Sequence, residues 1–144
     1  MNTDMEDSSS PNGYLLLFRD TSWDRVPRAE YQQVMDRMMA WFGELDRQGK
    51  LAGARPLLDG GKTVSGKDGR SVTDGPFPES KEAIGGYVLL NTDSEEEAVE
   101  IARTNPMLEY GLTVEVRATT AVCPKFQRVK SQLASSELAG SSAK

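Results

Sequence analysis

The sequence contains no histidine and a single cysteine, Cys123. Without an imidazole, the side chain that most often transfers protons near neutral pH is missing, and so is the commonest metal ligand. The usual metal ligands are too few, so we expect no metal site. One thiol excludes an intramolecular disulfide and is better tolerated in a reducing compartment, which favours the cytoplasm. Cys123 has no histidine partner, and we do not expect it to act as a nucleophile.

Long apolar runs and basic clusters are missing as well. The longest apolar stretches, residues 14–18 and 87–90, are far shorter than the roughly 20 residues that cross a bilayer. The formal net charge is -5, and no basic cluster supplies the phosphate contacts on which nucleic-acid binding depends. We therefore expect neither a membrane segment nor direct binding to DNA or RNA.

The two ends of the chain differ in composition from the middle. Residues 1–11 are acidic and rich in serine, without the features of a secretory signal, and residues 131–144 are rich in serine, alanine and glycine. The length of 144 residues fits one domain, which typically has roughly 100–150 residues. The sequence predicts a disordered leader over residues 1–12, one domain over residues 13–122 and a mostly mobile tail over residues 123–144.

The first half of the predicted domain begins with a strand and a long helix. Residues 13–18 form an apolar run that is typical of a strand buried on both faces. Pro27 suits the first position of a helix, and Gly49 suits its end. Apolar residues recur between them at the spacing of one helix face: Tyr31, Val34, Met35, Met38, Met39, Phe42 and Leu45. This pattern predicts a helix of about 20 residues across a sheet.

A hairpin is predicted in the middle of the chain, after an extended segment at residues 51–58. Asp68-Gly69 tolerates the positive φ of a tight turn, so we expect residues 62–66 and 70–73 to pair as antiparallel strands. The sequence at Gly61-Lys62-Thr63 enters one of these strands and lacks the pattern of a phosphate-binding loop. We therefore expect no phosphate-binding loop here, and the sequence predicts no cofactor.

Two further strands surround a short helix. Residues 84–90 are predicted to form a strand in which Gly85-Gly86 lets another element approach closely. Three glutamates from Glu95 onward suit the first turn of a helix, and Asn105-Pro106 ends it. Residues 113–117 alternate apolar and polar side chains, as in a strand with one wetter face.

The predicted order is strand, helix, strand, hairpin, strand, helix, strand. A ferredoxin-like α+β fold satisfies this order, as a βαββαβ sheet with two helices on one face and an inserted hairpin. The two helices cover only one face of the sheet, so its other apolar face needs a partner. A two-fold copy that packs sheet against sheet is a common solution, and we therefore expect a homodimer.

A long motif, DGPFPESKEAIGGY, occupies residues 74–87. It resembles the signature of the DGPF branch of the YCII-related family, which is written DGPF-x-E-[ST]-K-E followed by a Gly-Gly-aromatic strand. The apolar strand at residues 14–17, the helix end at residues 44–49 and the strand at residues 114–117 follow in the family's order. The resemblance covers roughly residues 13–120 and agrees with the fold that the pattern predicts.

The resemblance implies a ferredoxin-like fold of the dimeric α/β-barrel type, with a cleft beside the sheet. Other YCII-like members pair a histidine with an aspartate, which suggests acid–base chemistry, and some DGPF-like domains are linked with sigma-factor-like partners. This sequence has no histidine, so an imidazole-based dyad is impossible here. The resemblance therefore leaves open whether the protein is an enzyme.

The polar residues of the motif are the first candidates for a site. Asp74 ends a strand before a bend, so its carboxylate is a candidate for catalysis and ligand binding, or for capping the turn through backbone N–H groups. Glu79, Lys81 and Glu82 crowd a short segment and are candidate ligand-binding residues. The alternative for these three is a solvated group of surface charges.

Further candidates lie on the predicted sheet. Arg19 and Arg117 are placed to converge on an anionic ligand or to act as the counterions of Asp74. Tyr87 is a candidate hydrogen-bond donor in the cleft, or a core residue. The helix residues Met35, Met38, Met39, Trp41 and Phe42 have the composition of an adaptable pocket or of an ordinary core or dimer surface.

Two functions follow from these observations. The first is a small-molecule-binding dimer, with lyase-like or isomerase-like acid–base chemistry at Asp74. The second is a regulatory or protein-interaction module without catalysis, associated with transcription. The sequence does not identify the ligand.

Overall fold

The computed structural model describes residues 12–20, 23–77, 80, 83–121 and 123–142. The strands are β1 (Tyr14–Arg19), β2 (Leu51–Pro56), β3 (Lys62–Ser65), β4 (Ser71–Asp74), β5 (Ile84–Leu90) and β6 (Thr113–Ala118). The α-helices are α1 (Tyr31–Arg47), α2 (Glu95–Arg103) and α3 (Pro124–Ser142). A 3-10 turn, Pro106–Tyr110, connects α2 with β6. The fold is α+β.

Four strands form one antiparallel sheet in the order β2-β5-β1-β6. The central pair β1 and β5 aligns Leu16 with Val88, and β1 also aligns Leu16 with Val116 of β6. This order is consistent with a ferredoxin-like arrangement, in which the first and third core strands lie in the centre. Asn12, which the sequence places in the leader, extends this sheet because its N–H donates to the Thr119 carbonyl at 2.6 Å.

The core lies between one face of the sheet and the helices α1 and α2. Side chains of a strand alternate between faces, and on β1 the alternate residues Tyr14, Leu16 and Phe18 are buried. Each residue that reaches this core removes apolar surface from water, which is the main force that holds the layers together. The buried apolar residues are Tyr14, Leu16, Phe18, Val26, Val34, Trp41, Leu45, Val88, Leu90, Ala98, Ala102, Met107 and Leu112.

The opposite face of the sheet is only partly covered within one chain. The sequence predicts that β1 is buried on both faces, but Leu15 and Leu17 are half-buried, whereas Leu16 is fully buried. The physical reason is that α1 and α2 pack on the other face. We call the less covered side the open face, and the register places on it Leu15, Leu17, Arg19, Arg55, Tyr87, Leu89, Glu115 and Arg117.

The predicted hairpin is present as a separate two-stranded sheet of β3 and β4. Asp68 and Gly69 both have positive φ, 61° and 65°, as a tight connection around Asp-Gly requires. Val64 and Val72 are cross-strand partners, and both are exposed. The hairpin therefore adds little to the core of the four-stranded sheet.

Gly86 confirms the predicted close approach at the start of β5. A Cβ atom at this position would lie 3.1 Å from the Arg55 carbonyl oxygen and 3.3 Å from the Pro56 Cα. In β2, Gly53 has no neighbour within 4 Å of the corresponding position. A side chain at position 86 would therefore push β2 away from β5.

Residues Pro124–Ser142 form helix α3, where the sequence predicts a mostly mobile tail. The apolar side chains Phe126, Val129 and Leu133 follow a helical spacing, but they are exposed. The serine, alanine and glycine content that suggested a tail does not exclude a helix, since alanine is the strongest helix former. Mobility of this segment stays a prediction. None of the helices formed by the described residues is long and apolar enough to span a membrane.

Candidate functional site

A cavity of about 260 Å³ lies between α1 and the sheet, where β1 ends and β5 begins. Its wall is made of residues that are distant in sequence, because it forms where β1, β2, β5, α1 and the Pro106–Tyr110 turn meet. The lining residues are Phe18, Trp23, Met38, Phe42, Ala54, Arg55, Pro56, Gly85, Gly86, Tyr87, Asn105, Met107 and Leu112.

The side chains that face this cavity are almost all apolar. Tyr87 and Arg55 are cross-strand partners on the open face, so strand alternation directs their side chains away from the helix side of the sheet. Phe18, Met38 and Phe42 provide aromatic and thioether surface, a combination that adapts to flat apolar ligands. None of the described residues that line the cavity is a carboxylate.

Asn105 is the one buried polar or charged side chain among the described residues, with 3% of its surface exposed. Its Oδ1 accepts a hydrogen bond from the Met107 N–H at 2.8 Å and thereby caps the Pro106–Tyr110 turn. Its Nδ2 is buried and has no acceptor among the described residues. A buried amide N–H without a partner costs free energy, and Asn105 belongs to the cavity wall, so a ligand acceptor that reached this atom would be favourable.

The sequence alone does not indicate that Asn105 is a site residue. The Asn105-Pro106 pair indicates only the end of a helix, and α2 does end at Arg103. The capping role uses Oδ1 alone, and the amide nitrogen becomes informative only because the fold places Asn105 in a cavity wall with Phe18, Phe42 and Met107. No local pattern distinguishes this asparagine from an ordinary cap.

Aromatic contacts with the buried core hold the wall of the cavity in place. The Trp41 ring packs edge-on against Phe42 with the ring centroids 5.0 Å apart, and lies 6.4 Å from the Phe18 ring. Trp41 also donates from Nε1 to the Thr104 Oγ1 at 2.8 Å. Because Thr104 precedes Asn105, this hydrogen bond connects the aromatic cluster with the residue that carries the unpaired amide.

Two polar contacts hold the Pro106–Tyr110 turn against α1 and against Glu30, the residue that precedes α1. Arg37 and Glu109 form an ion pair at 2.5 Å, and the Tyr110 hydroxyl donates to Glu30 at 3.2 Å. Burial, followed by the negative charges of Glu30 and Glu109, raises the pKa of Tyr110, so its hydroxyl keeps the proton that it donates. The turn thus presents Asn105 and Met107 to the cavity in a fixed orientation.

The structure places Asp74 away from this cavity. Asp74 is the last residue of β4, pairs in register with Lys62 of β3, and its carboxylate forms an ion pair with the Lys62 ammonium. Both side chains are mostly exposed. The Asp74 role in catalysis or ligand binding stays a prediction. Glu79, Lys81 and Glu82 lie outside the described residues.

On the open face, Arg19 and Arg117 both form ion pairs with the carboxylate of Glu115. Each guanidinium lies 3.0 Å from a Glu115 oxygen, so the counterion in this chain is Glu115 and not Asp74. Leu17 separates Glu115 from Tyr87 in the same row of the sheet. Glu115 is not among the candidate residues from the sequence, although it lies two residues before Arg117 and therefore on the same strand face.

The start of the DGPF motif lies against a second cavity of about 340 Å³. Gly75 is held in place by two hydrogen bonds, from its N–H to the Gly61 carbonyl at 3.0 Å and from the Thr63 hydroxyl to its own carbonyl at 2.9 Å. This arrangement fixes the bend after β4. The cavity is lined by Leu57, Leu58, Asp59, Gly60, Pro76, Ala83 and Ile84.

The methionine and aromatic cluster of α1 divides between the cavity, the core and the surface. Met38 and Phe42 line the cavity of about 260 Å³, and Trp41 belongs to the buried core. Met35 and Met39 are exposed, at 46% and 67%. Among the described residues, no three carboxylate or cysteine side chains come together in a group able to hold a metal ion.

Comparison with known proteins identifies the family. The sequence model of the YCII-related domain family matches residues 14–120, a range that begins with β1 and ends just beyond β6. None of the curated proteins matches the chain. The matched range contains the whole four-stranded sheet, α1, α2 and every residue that lines the cavity at Asn105. The chain belongs to the YCII-related family.

Proposed function

We propose that this protein binds a small molecule in the cavity between α1 and the sheet. The observation that carries the proposal is Asn105, a residue of the cavity wall whose buried Nδ2 has no acceptor among the described residues. Native proteins rarely leave such a group unpaired, and an apolar cavity with one oriented polar group is the usual form of a ligand site.

Binding is better supported than acid–base catalysis. Among the described lining residues, the titratable side chains are Tyr87 and Arg55, and both belong to the opposite face of the sheet. Asp74 is exposed and paired with Lys62 on the hairpin. A general acid or base has to come within hydrogen-bond reach of the reacting group. The residues that line the cavity therefore support ligand binding better than catalysis.

A thermal-shift screen of a metabolite library tests the proposal. A ligand at 100 times its Kd raises the free energy of unfolding by about 2.7 kcal/mol, which is readily detected. Ala54→Leu, which introduces a larger side chain at the cavity wall, should abolish the response. Ala52→Leu is the matched control in the same strand, since Ala52 is exposed and outside this cavity. Equal responses of both variants would contradict the proposal.

We also propose that the protein works as a homodimer whose two copies pack through the open face. The supporting observation is the row of half-buried apolar side chains, Leu15, Leu17 and Leu89, on the face that α1 and α2 leave uncovered. An obligate interface of this kind typically buries on the order of 2,000 Å² or more.

The same face supports a second function, as a regulatory or protein-interaction module. A different protein seated on Leu15, Leu17 and Leu89 would compete with a second copy of the chain. The oligomeric state in solution distinguishes the two possibilities, because only the homodimer forms from the purified chain alone.

A further inference from the structure

We infer that the ligand of the Asn105 cavity is an uncharged molecule with a single flat ring and a hydrogen-bond acceptor, such as a carbonyl oxygen, attached to it. This inference rests on the proposed function and adds the chemical class of the ligand to it.

The orientation of the Asn105 amide indicates that the ligand carries a hydrogen-bond acceptor. The Met107 main-chain N–H can only donate, so the side-chain oxygen of Asn105 has to face it, and the contact at 2.8 Å fixes this orientation. The Nδ2 therefore points elsewhere, and it offers N–H donors and no lone pair. A ligand group that satisfies it must be an acceptor.

The side chains that line the cavity indicate that the ligand is uncharged. The side chains directed to the cavity from the described elements are apolar or neutral, with Asn105 as the polar one. Arg55 contributes to the lining, but its cross-strand pairing with Tyr87 places its side chain on the open face. A carboxylate or ammonium group in this cavity would lose its hydration without gaining a counterion, which is far more costly than burying a neutral carbonyl.

The volume of the cavity and its aromatic side chains indicate the size and shape of the ligand. An apolar cavity of about 150 Å³ accommodates one benzene molecule. The cavity here has about 260 Å³, which leaves room for a short substituent on the ring. Phe18, Phe42 and Trp23 offer ring contacts, and Met38 and Met107 offer sulfur–aromatic contacts, so a flat ring is favoured over an aliphatic chain.

The inference is tested with three probes of nearly equal shape, measured on the full chain by calorimetry or NMR titration at neutral pH. Acetophenone carries a neutral carbonyl, 2-phenylpropene replaces that oxygen with a methylene group, and benzoate carries a charge. We expect acetophenone to bind at least roughly tenfold more tightly than each of the others, since both alternatives leave a buried polar or charged group uncompensated. Asn105→Ala should reduce the preference for acetophenone over 2-phenylpropene, while Asn91→Ala, at an exposed asparagine, should keep it.

The outcomes separate the ligand class from the existence of the site. Equal or tighter binding of benzoate or 2-phenylpropene would overturn the ligand class and leave the cavity as a binding site. Binding of none of the three would overturn the ligand class, and the responses of Ala54→Leu and Ala52→Leu in the thermal-shift screen would then decide the cavity proposal by themselves. If Asn105→Ala does not fold, the ratio of affinities measured on the unaltered chain still decides the inference.

Discussion

Trp41 donates a hydrogen bond from its indole Nε1 to the Thr104 Oγ1 at 2.8 Å. The contact joins α1 to the residue that follows α2, and it holds the chain immediately before Asn105. Because the Trp41 ring also packs on Phe18 and Phe42, one side chain connects the aromatic wall of the cavity with its polar group.

Removing the acceptor at position 104 should therefore destabilise the protein. Thr104→Val keeps the shape of the side chain but removes the acceptor of the partly buried Trp41 N–H, and we expect the free energy of unfolding to fall by about 0.5–1.5 kcal/mol. Thr104→Ser keeps the hydroxyl and is the matched control. Chemical denaturation measures both variants, and an equal loss in the two would contradict the role of the hydrogen bond.

The close contact between β5 and β2 gives a second prediction. Gly86→Ala places a Cβ 3.1 Å from the Arg55 carbonyl oxygen, so we expect a loss of about 1–3 kcal/mol of unfolding free energy. Gly53→Ala is the control, because nothing lies within 4 Å of its Cβ, and it should be neutral or slightly stabilising. Denaturation curves in which the two variants coincide would show that the strands do not approach closely at Gly86.

The homodimer proposal predicts a change in mass when the open face is charged. Sedimentation of the unaltered chain at micromolar concentration should give twice the 15.8 kDa chain mass. Leu17→Lys should shift the protein to the monomer, since it buries an ammonium group in an apolar interface. Met39→Lys, on the exposed side of α1, should remain dimeric. A monomeric unaltered chain would refute the dimer and favour a different protein as the occupant of the open face.

Cys123 should be alkylated at lower pH than an unperturbed cysteine. Hydrogen bonds from the main-chain N–H groups of Phe126 and then Lys125 favour the thiolate and lower the pKa of Cys123, and the thiol is exposed. A lowered pKa increases the thiolate fraction at any pH below the ordinary value of about 8.5, so reaction with iodoacetamide should accelerate there. The same chain in denaturant is the control, and identical pH profiles in the two states would contradict the prediction.

The fold could be predicted well where periodicity is strong. The strands at residues 14–19 and 84–90, the helix α1 and the hairpin around Asp68-Gly69 follow from their apolar spacing and turn chemistry. Helix α3 does not follow from the sequence in the same way, because its serine, alanine and glycine content is typical of a mobile tail, and the spacing of Phe126, Val129 and Leu133 is a weaker signal.

The candidate site could be predicted only in part, because a cavity depends on contacts between distant segments. The pairing of Asp74 with Lys62 was foreseeable, since a turn centred on Asp68 aligns these two positions. The role of the unpaired Nδ2 of Asn105 was not, because it depends on the cavity wall that Asn105 shares with Phe18, Met38 and Pro56.

The most direct test of the central claim is a titration of the protein, labelled with ¹³C at the methionine methyl groups, with acetophenone. Met38 and Met107 line the cavity, whereas Met35 and Met39 are exposed on α1 and serve as internal controls. The account predicts saturable shifts of the Met38 and Met107 methyl signals with Met35 and Met39 unchanged. Unchanged Met38 and Met107 signals at a concentration that shifts Met35 or Met39, or no shift of any of the four, would contradict it.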